Sequence, residues 1–320
     1  LGDVYKRQSL YISIVEPVTY TLYYGGDATG EFYLEIDTSS WTPGTHTFHV
    51  NITWVGEPYY QNRTSVEIHI TVRHRYTELT HGSYTPIQFG ENLTLLFTYR
   101  DLDDYSTAGM DGSTLSLDPS LFGSYWVDDN GDGTYTLTLD TSVFGLLGTY
   151  TVNVTITYGG SRYCENATDF FYLTVVERRS QLSSELPGPA PFLSQANVTV
   201  LYVDDNTNQG ITGADIYASC ATAATELQLG VNYWVDYLGG GRYRIRISTE
   251  ALGTFGSYSI DVIANYTGQP YYQERSISVD IQVSRRPAGL SIVKSPLNTP
   301  FLYNVTFEMA VSYTHLTLPT

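Results

Sequence analysis

Lysine is almost absent from this chain. Only Lys6 and Lys294 occur, and Lys and Arg together number 16 against 33 Asp and Glu. The resulting formal charge of −17 repels nucleic acid and anionic lipid, and both are set aside as partners. Cysteine is equally scarce, with Cys164 and Cys220 the only two. They fall in different parts of the chain, whereas a bridge between two sheets needs both in one domain. They are therefore read as unpaired small residues, and stability has to come from an apolar core. No stretch approaches the roughly twenty apolar residues of a spanning helix, so any membrane attachment would come through an anchor outside this fragment. HExxH, GxSxG, Walker and dinucleotide motifs are all missing, and no two carboxylates are spaced for acid–base work. No catalytic residue and no cofactor-binding residue is predicted.

What the chain has in abundance is repetition. Residues 30–79 (GEFYLEID…), 133–182 (GTYTLTLD…) and 241–290 (GRYRIRIS…) superimpose, with periods of 103 and 108 residues. A second motif, Asn92-Leu-Thr, Asn197-Val-Thr and Asn304-Val-Thr, recurs at spacings of 105 and 107. A period of about 100 is the size of a self-sufficient domain, not of a solenoid repeat. Within each copy the apolar residues alternate, as in half-buried strands. Tyr135, Leu137 and Leu139 alternate with threonines, and Tyr243, Ile245 and Ile247 alternate with Arg242, Arg244 and Arg246. Seven strands are expected in the middle copy, starting near Glu78, Leu93, Thr114, Tyr125, Thr134, Thr149 and Asp169.

Seven short alternating strands per hundred residues predict an all-β chain of tandem immunoglobulin-like β-sandwiches, about seven strands per domain. Tyr150 and Tyr258 follow Gly148 and Gly256 at the corner between presumed strands E and F, where a tyrosine corner sits; the first copy has His46 there. The Gly-Thr-Tyr … Gly-x-Tyr cadence resembles filamin-type repeats and the immunoglobulin-like repeats of large archaeal or bacterial surface proteins. That resemblance implies a fold and an extracellular or cell-surface setting, not an activity.

The two ends read differently. Residues 3–8 (DVYKRQ) and 311–316 (VSYTHL) resemble translations of inverted copies of one transposase sequencing adapter, as in a metagenomic fragment. The expected organisation is adapter at 1–8, a partial domain lacking its first strands at 9–79, complete domains at 80–182 and 183–290, the first strands of a further domain at 291–310, and adapter again at 311–320. The partial domains leave unpaired edges and uncovered apolar faces, so residues 80–290 are expected to fold alone. Residues 179–191 are read as a short linker.

Several residue groups are candidate sites. Eight Asn-x-Ser/Thr triplets occur, at Asn51, Asn62, Asn92, Asn153, Asn166, Asn197, Asn265 and Asn304. Chance supplies some in a Thr-rich chain, but Asn51, Asn153 and Asn265 share an outward position on strand F, which favours a secreted glycoprotein. Asp128, Asn130 and Asp132 open a DxNxDG sequence that suits calcium, yet the twelfth position is Leu139, and Asp-Gly between strands is also a hairpin signal. Basic residues end each presumed strand G (Arg73 and Arg75, Arg178 and Arg179, Arg285 and Arg286), and acids follow strand B (Asp101, Asp103 and Asp104; Asp204 and Asp205). In domains strung end to end these groups are expected to meet at the junctions and set the inter-domain angle; the bland alternative is solvated charge. Glu57-Pro-Tyr-Tyr60-Gln and Gln269-Pro-Tyr-Tyr272-Gln place tyrosines at the F–G turn, either plugging the sandwich end against the preceding domain or contacting a ligand. His49 and His69, with Glu67 nearby, are read as an exposed cross-strand pair rather than a metal site.

Together these features predict a structural or adhesive stalk segment, not an enzyme, with neighbouring domains of the same chain as its partners. The alternatives are a module binding surface glycans or proteins, and a non-catalytic accessory region of a large secreted enzyme.

Overall fold

The computed structural model describes residues 10–313 except 26–30, 57–58, 105–108, 122, 161, 295–297, 299–300 and 302. The adapter-like ends thus lie outside the described residues, apart from 311–313. The chain divides into two compact units: one of residues 1–85, 92–140 and 151–173, the other of 86–91, 141–150 and 174–320. The division passes through the middle repeat, three short segments of which (86–91, 141–150 and the end of its last strand) belong with the third.

The first repeat contains β1 (Leu10–Ile14), β2 (Tyr20–Tyr24), β3 (Phe32–Ile36), β4 (Gly44–Trp54) and β5 (Arg63–Val72). They form a sheet of order β1-β4-β5 and a separate β2-β3 pair. The middle repeat runs β6 (Thr77–His81), β7 (Ile87–Gln88), β8 (Asn92–Asp101), β9 (Ser113–Leu117), β10 (Tyr125–Asp129), β11 (Thr134–Asp140), β12 (Gly148–Tyr158) and β13 (Ala167–Val176). Its sheets have the orders β10-β11-β8-β6 and β7-β13-β12-β9. The third repeat reproduces both with β14 (Ser180–Ser184), β15 (Ala190–Pro191), β16 (Gln195–Asp204), β17 (Asp215–Ser219), β18 (Tyr233–Gly239), β19 (Arg242–Ser248), β20 (Gly256–Asn265) and β21 (Arg275–Ser284). A last pair, β22 (Ala288–Lys294) with β23 (Glu308–Tyr313), follows. The chain is all-β, built from tandem immunoglobulin-like sandwiches in which a four-stranded DEBA sheet faces a GFC sheet.

The strand bounds refine the expected organisation. The 79/80 and 182/183 boundaries fall inside β6 and β14, and residues 179–191 are largely β14 and β15 rather than linker. Each complete sandwich has an eighth strand, because the first splits in two: β7 and β15 cross over to pair in parallel with β13 and β21. Two-residue strands are too short to show periodicity, which hid them. Finally, Asn92 and Asn197 are not equivalent. Asn92 lies opposite Asp140 while Gln195 takes that place opposite Ser248, so Asn197 stands two residues further along. A shift of two keeps the same face of a strand. The last strand runs to Tyr313, past the expected limit at Ala310.

Tyrosine supplies in these cores what cysteine does not. Tyr99 and Tyr135 are fully buried, and each phenol donates to a backbone carbonyl: Tyr99 to Glu165 at 3.0 Å and Tyr135 to Met110 at 2.6 Å. Tyr202 and Tyr243 repeat this with Gln273 (2.7 Å) and Ile211 (2.9 Å). Each phenol satisfies its own polar end while tying a loop to the core. The tyrosine corner is present, Tyr150 donating to Leu146 O and Tyr258 to Thr254 O, both at 2.8 Å. His46 keeps the same bond four residues back, from Nε2 to Thr42 O at 2.7 Å. The glycines opening the second and third motifs have a steric cause: a Cβ on Gly133 would come within 2.1 Å of the Gly109 backbone, and one on Gly241 within 2.3 Å of Tyr202 O.

Candidate functional site at the repeat junctions

In the first unit, the segment leaving β5 passes the turn before β13. Arg75 N–H donates to Tyr163 O and Glu165 N–H donates to Arg75 O, both at 3.0 Å, which makes a parallel bridge between Arg75 and Cys164. This backbone stitch aims the Arg75 side chain at the end of β8, where Nε donates to Asp101 Oδ2 at 2.6 Å. Asp101 is buried, and its other oxygen accepts the Asp103 N–H at 2.9 Å. The Asp101 bond holds the Arg75 guanidinium above its ordinary value, against burial. Beside it, Arg73 forks onto Asp103 at 2.6 and 2.8 Å and lies 3.8 Å over the Tyr76 ring. That fork, with the Tyr76 N–H, holds the Asp103 carboxyl well below the usual carboxylate range. Asp104 stands 3.8 Å from Arg162. A cleft of about 710 Å³ lies alongside, lined by Trp41, Val72, Arg73 and Tyr163 among others.

The second unit builds the same stitch. Arg178 N–H donates to Tyr271 O at 2.8 Å and Gln273 N–H to Arg178 O at 3.0 Å, bridging Arg178 to Tyr272. The Arg178 guanidinium reaches Asp204 Oδ2 through Nε at 2.9 Å and the neighbouring amine at 2.8 Å, and also donates to Phe89 O at 3.1 Å. Asp204 is buried; Oδ1 accepts the N–H groups of Asn206 (2.9 Å) and Thr207 (3.1 Å). Burial pushes the Asp204 carboxyl up, but the Arg178 bond and the two backbone donors outweigh it, leaving it below its ordinary value. Burial likewise disfavours the Arg178 cation, and Asp204 more than restores it. Around this pair, Tyr271 stands edge-on to Phe89, centroids 5.1 Å apart. Its hydroxyl and Gln269 both donate to Gly145 O, at 2.9 and 2.7 Å.

The predicted acidic and basic groups of the two junctions therefore come together, Arg179 and Asp205 through the backbone alone, Asp205 N–H donating to Arg179 O at 3.1 Å. Arg179 contributes its backbone N–H, to Gln88 Oε1 at 2.6 Å, and Asp205 accepts from Gln181. Arg285 lies 4.5 Å over the Phe255 ring. Phe89, Gly145, Tyr99 and Tyr202 were missed. The one available signal was that Tyr99 and Tyr202 each stand two residues before the junction aspartate.

The other candidates resolve locally. Asn62, Asn92, Asn153, Asn166, Asn197 and Asn304 are exposed, whereas Asn51 and Asn265 are half-buried, so the expectation of an outward position on strand F holds fully only at Asn153. Asn51 and Asn62 use Oδ1 to accept the N–H of Ser65 and Trp54, each at 2.8 Å. In the DxNxDG turn, Asp132 Oδ1 accepts both the N–H (2.9 Å) and hydroxyl (2.6 Å) of Thr134, and Asn130 donates to Thr134 and Thr136. Asp128 is exposed on β10 opposite Thr136. Among the described residues no three His, Cys, Asp or Glu side chains are grouped to hold a metal ion. His49 and His69 are not opposed: His49 faces Glu67 and bonds Glu16 at 2.6 Å, while His69 faces Thr47 and bonds it at 2.9 Å. Both cysteines are free, Cys164 buried and Cys220 half-buried. Glu57, Pro58 and Ser161, which belong to the tyrosine turns, lie outside the described residues.

No protein-family model and no curated protein matches the chain. Solved structures do. A titin structure of domains numbered 168 to 170 is 11% identical over 69% of this chain and 70% of its own, with a TM-score of 0.36. Domains 4–9 of the surface layer protein SbsC give 15%, 90%, 41% and 0.23 in the same order. An endo-fucoidan hydrolase of glycoside hydrolase family 107 gives 12%, 86%, 38% and 0.26.

Proposed function

We propose that this chain is a spacer segment of a repeat-containing surface protein, whose work is to hold successive sandwiches end to end at defined angles. The observation that carries this reading is the twice-built stitch: a linker arginine, backbone-paired to the turn before the last strand, whose guanidinium enters a buried aspartate (Arg75 to Asp101, Arg178 to Asp204). A buried carboxylate with one guanidinium partner fixes direction as well as distance, because any other angle leaves the charge unpaired. A flexible Gly/Ser linker would do neither.

The test is small-angle scattering on the whole chain and on Arg178→Ala. A broader distance distribution in the variant supports the spacer; superimposable profiles, with the fold intact by circular dichroism, end it. An extracellular setting of archaeal or bacterial type fits the acidic surface and the six exposed sequons. Expression through a secretory host should yield endoglycosidase-sensitive mass at Asn153 and Asn166 before Asn51 or Asn265.

A further inference from the structure

The far end of the third sandwich carries a cavity of about 230 Å³ lined by Phe192, Thr254, Phe255, Arg285 and Arg286. Its walls are the equivalents of the surface that Tyr271 covers. Phe89 N–H donates to Val176 O and Phe192 N–H to Ser284 O, both at 2.9 Å, each just after the short parallel strand. Thr141 and Thr249 are fully buried and bond the carbonyls on either side of those phenylalanines. Through the tyrosine corners, Leu146 corresponds to Thr254, so Gly145 corresponds to Gly253. Phe89, under Tyr271, is 5% exposed; Phe192 is only half-buried, and Phe255 beside it is 55% exposed.

We infer that this cavity is a socket for the tyrosine-bearing F–G turn of a further sandwich of the same repeat, continuing the array. The chain leaving the socket supports that occupant. β22 begins two residues after Arg286, as β14 does after Arg178 and β6 after Arg75. A Gln-Pro-Tyr-Tyr turn fits the walls chemically: one aromatic edge for Phe192, one phenol donor for the Gly253 carbonyl, and a face of Phe255 already turned to a cation. The inference rests on the spacer reading, and it adds the partner and its contact residues.

The test is disulfide trapping in the full chain with a second copy of residues 183–290 inserted after Leu290, native cysteines replaced by Cys164→Ala and Cys220→Ala. Thr254→Cys in the resident sandwich is combined with Gln269→Cys in the inserted copy. The control is Leu146→Cys with Gln269→Cys at the junction already built. Disulfide geometry tolerates little displacement, so an intramolecular yield within about twofold of the control is expected. Tyr271→Ala in the inserted copy should lower that yield, while Tyr271→Phe should keep most of it. Control linkage without linkage at the socket overturns the inference and leaves the spacer reading standing. Failure of the control itself counts against both. Linkage only between molecules also overturns it, because the turn of a second copy, and not of the next sandwich in the same chain, would then be the occupant.

Discussion

The two junctions use one ion pair in two settings. Asp101 and Asp204 are equally buried, but the Arg75 side chain is 38% exposed beside a 710 Å³ cleft and the Arg178 side chain is 12% exposed. At the second junction β7 leads into Phe89, and Tyr271 closes over it. The Arg178 guanidinium is therefore better shielded from water than that of Arg75, while both aspartates are buried. The first junction makes up part of the difference with the exposed Arg73–Asp103 fork, for which the second has Val176 and Asn206. A charge pair is worth what its surroundings allow, and here Phe89, 89 residues from Arg178 in the chain, helps to set that value.

The sharpest way to break this comparison is to remove each arginine in turn. Arg178→Ala strands a buried carboxylate and is expected to cost about 3–5 kcal/mol, read by urea unfolding of the third sandwich. Arg75→Ala should cost less, roughly 1–3 kcal/mol, because the open cleft lets water solvate Asp101. Equal losses would show that β7 does not matter.

Acid gives the next effect. The folded Asp204 carboxyl sits below its ordinary value of 3.8, so its stabilisation is fully present above about pH 4 and is lost as pH falls through the lower, folded value. Stability followed from pH 7 to 2 should fall in that window, and Asp204→Asn should flatten the fall. Asp103 is shifted in the same direction by its exposed Arg73 fork. Its share of the acid response should shrink in 1 M salt, where Asp204's should persist.

Smaller still is Tyr271→Phe, which removes the donor to Gly145 and keeps the ring on Phe89. A loss of about 0.5–1.5 kcal/mol in the second unit is expected by thermal unfolding. Arg73→Ala should change little at physiological salt; a large effect there would mean that the first junction depends on its surface fork rather than on Arg75.

The sheets were legible from period-two alternation, since Tyr135, Leu137, Leu139, Tyr243, Ile245 and Ile247 are all buried as their spacing requires. The repeat also placed arginines and acids in register well enough to anticipate Arg75 with Asp101 and Arg178 with Asp204. It went astray where sequence spacing and strand register part company. Asn92 and Asn197 look equivalent as triplets and are not, because β8 and β16 begin two residues apart relative to them. His49 and His69 look opposed and are offset for the same reason.

By itself the sequence determined the repeat, the strand faces and the lack of disulfides, because alternation and composition act locally and need no partner to be read. Only the tertiary structure decided which aspartates are buried, that tyrosine hydroxyls tie the loops in place of disulfides, and that Phe89 is covered while Phe192 is open. Those depend on residues far apart in the chain, such as Phe89 and Tyr271, coming within a few ångströms of each other.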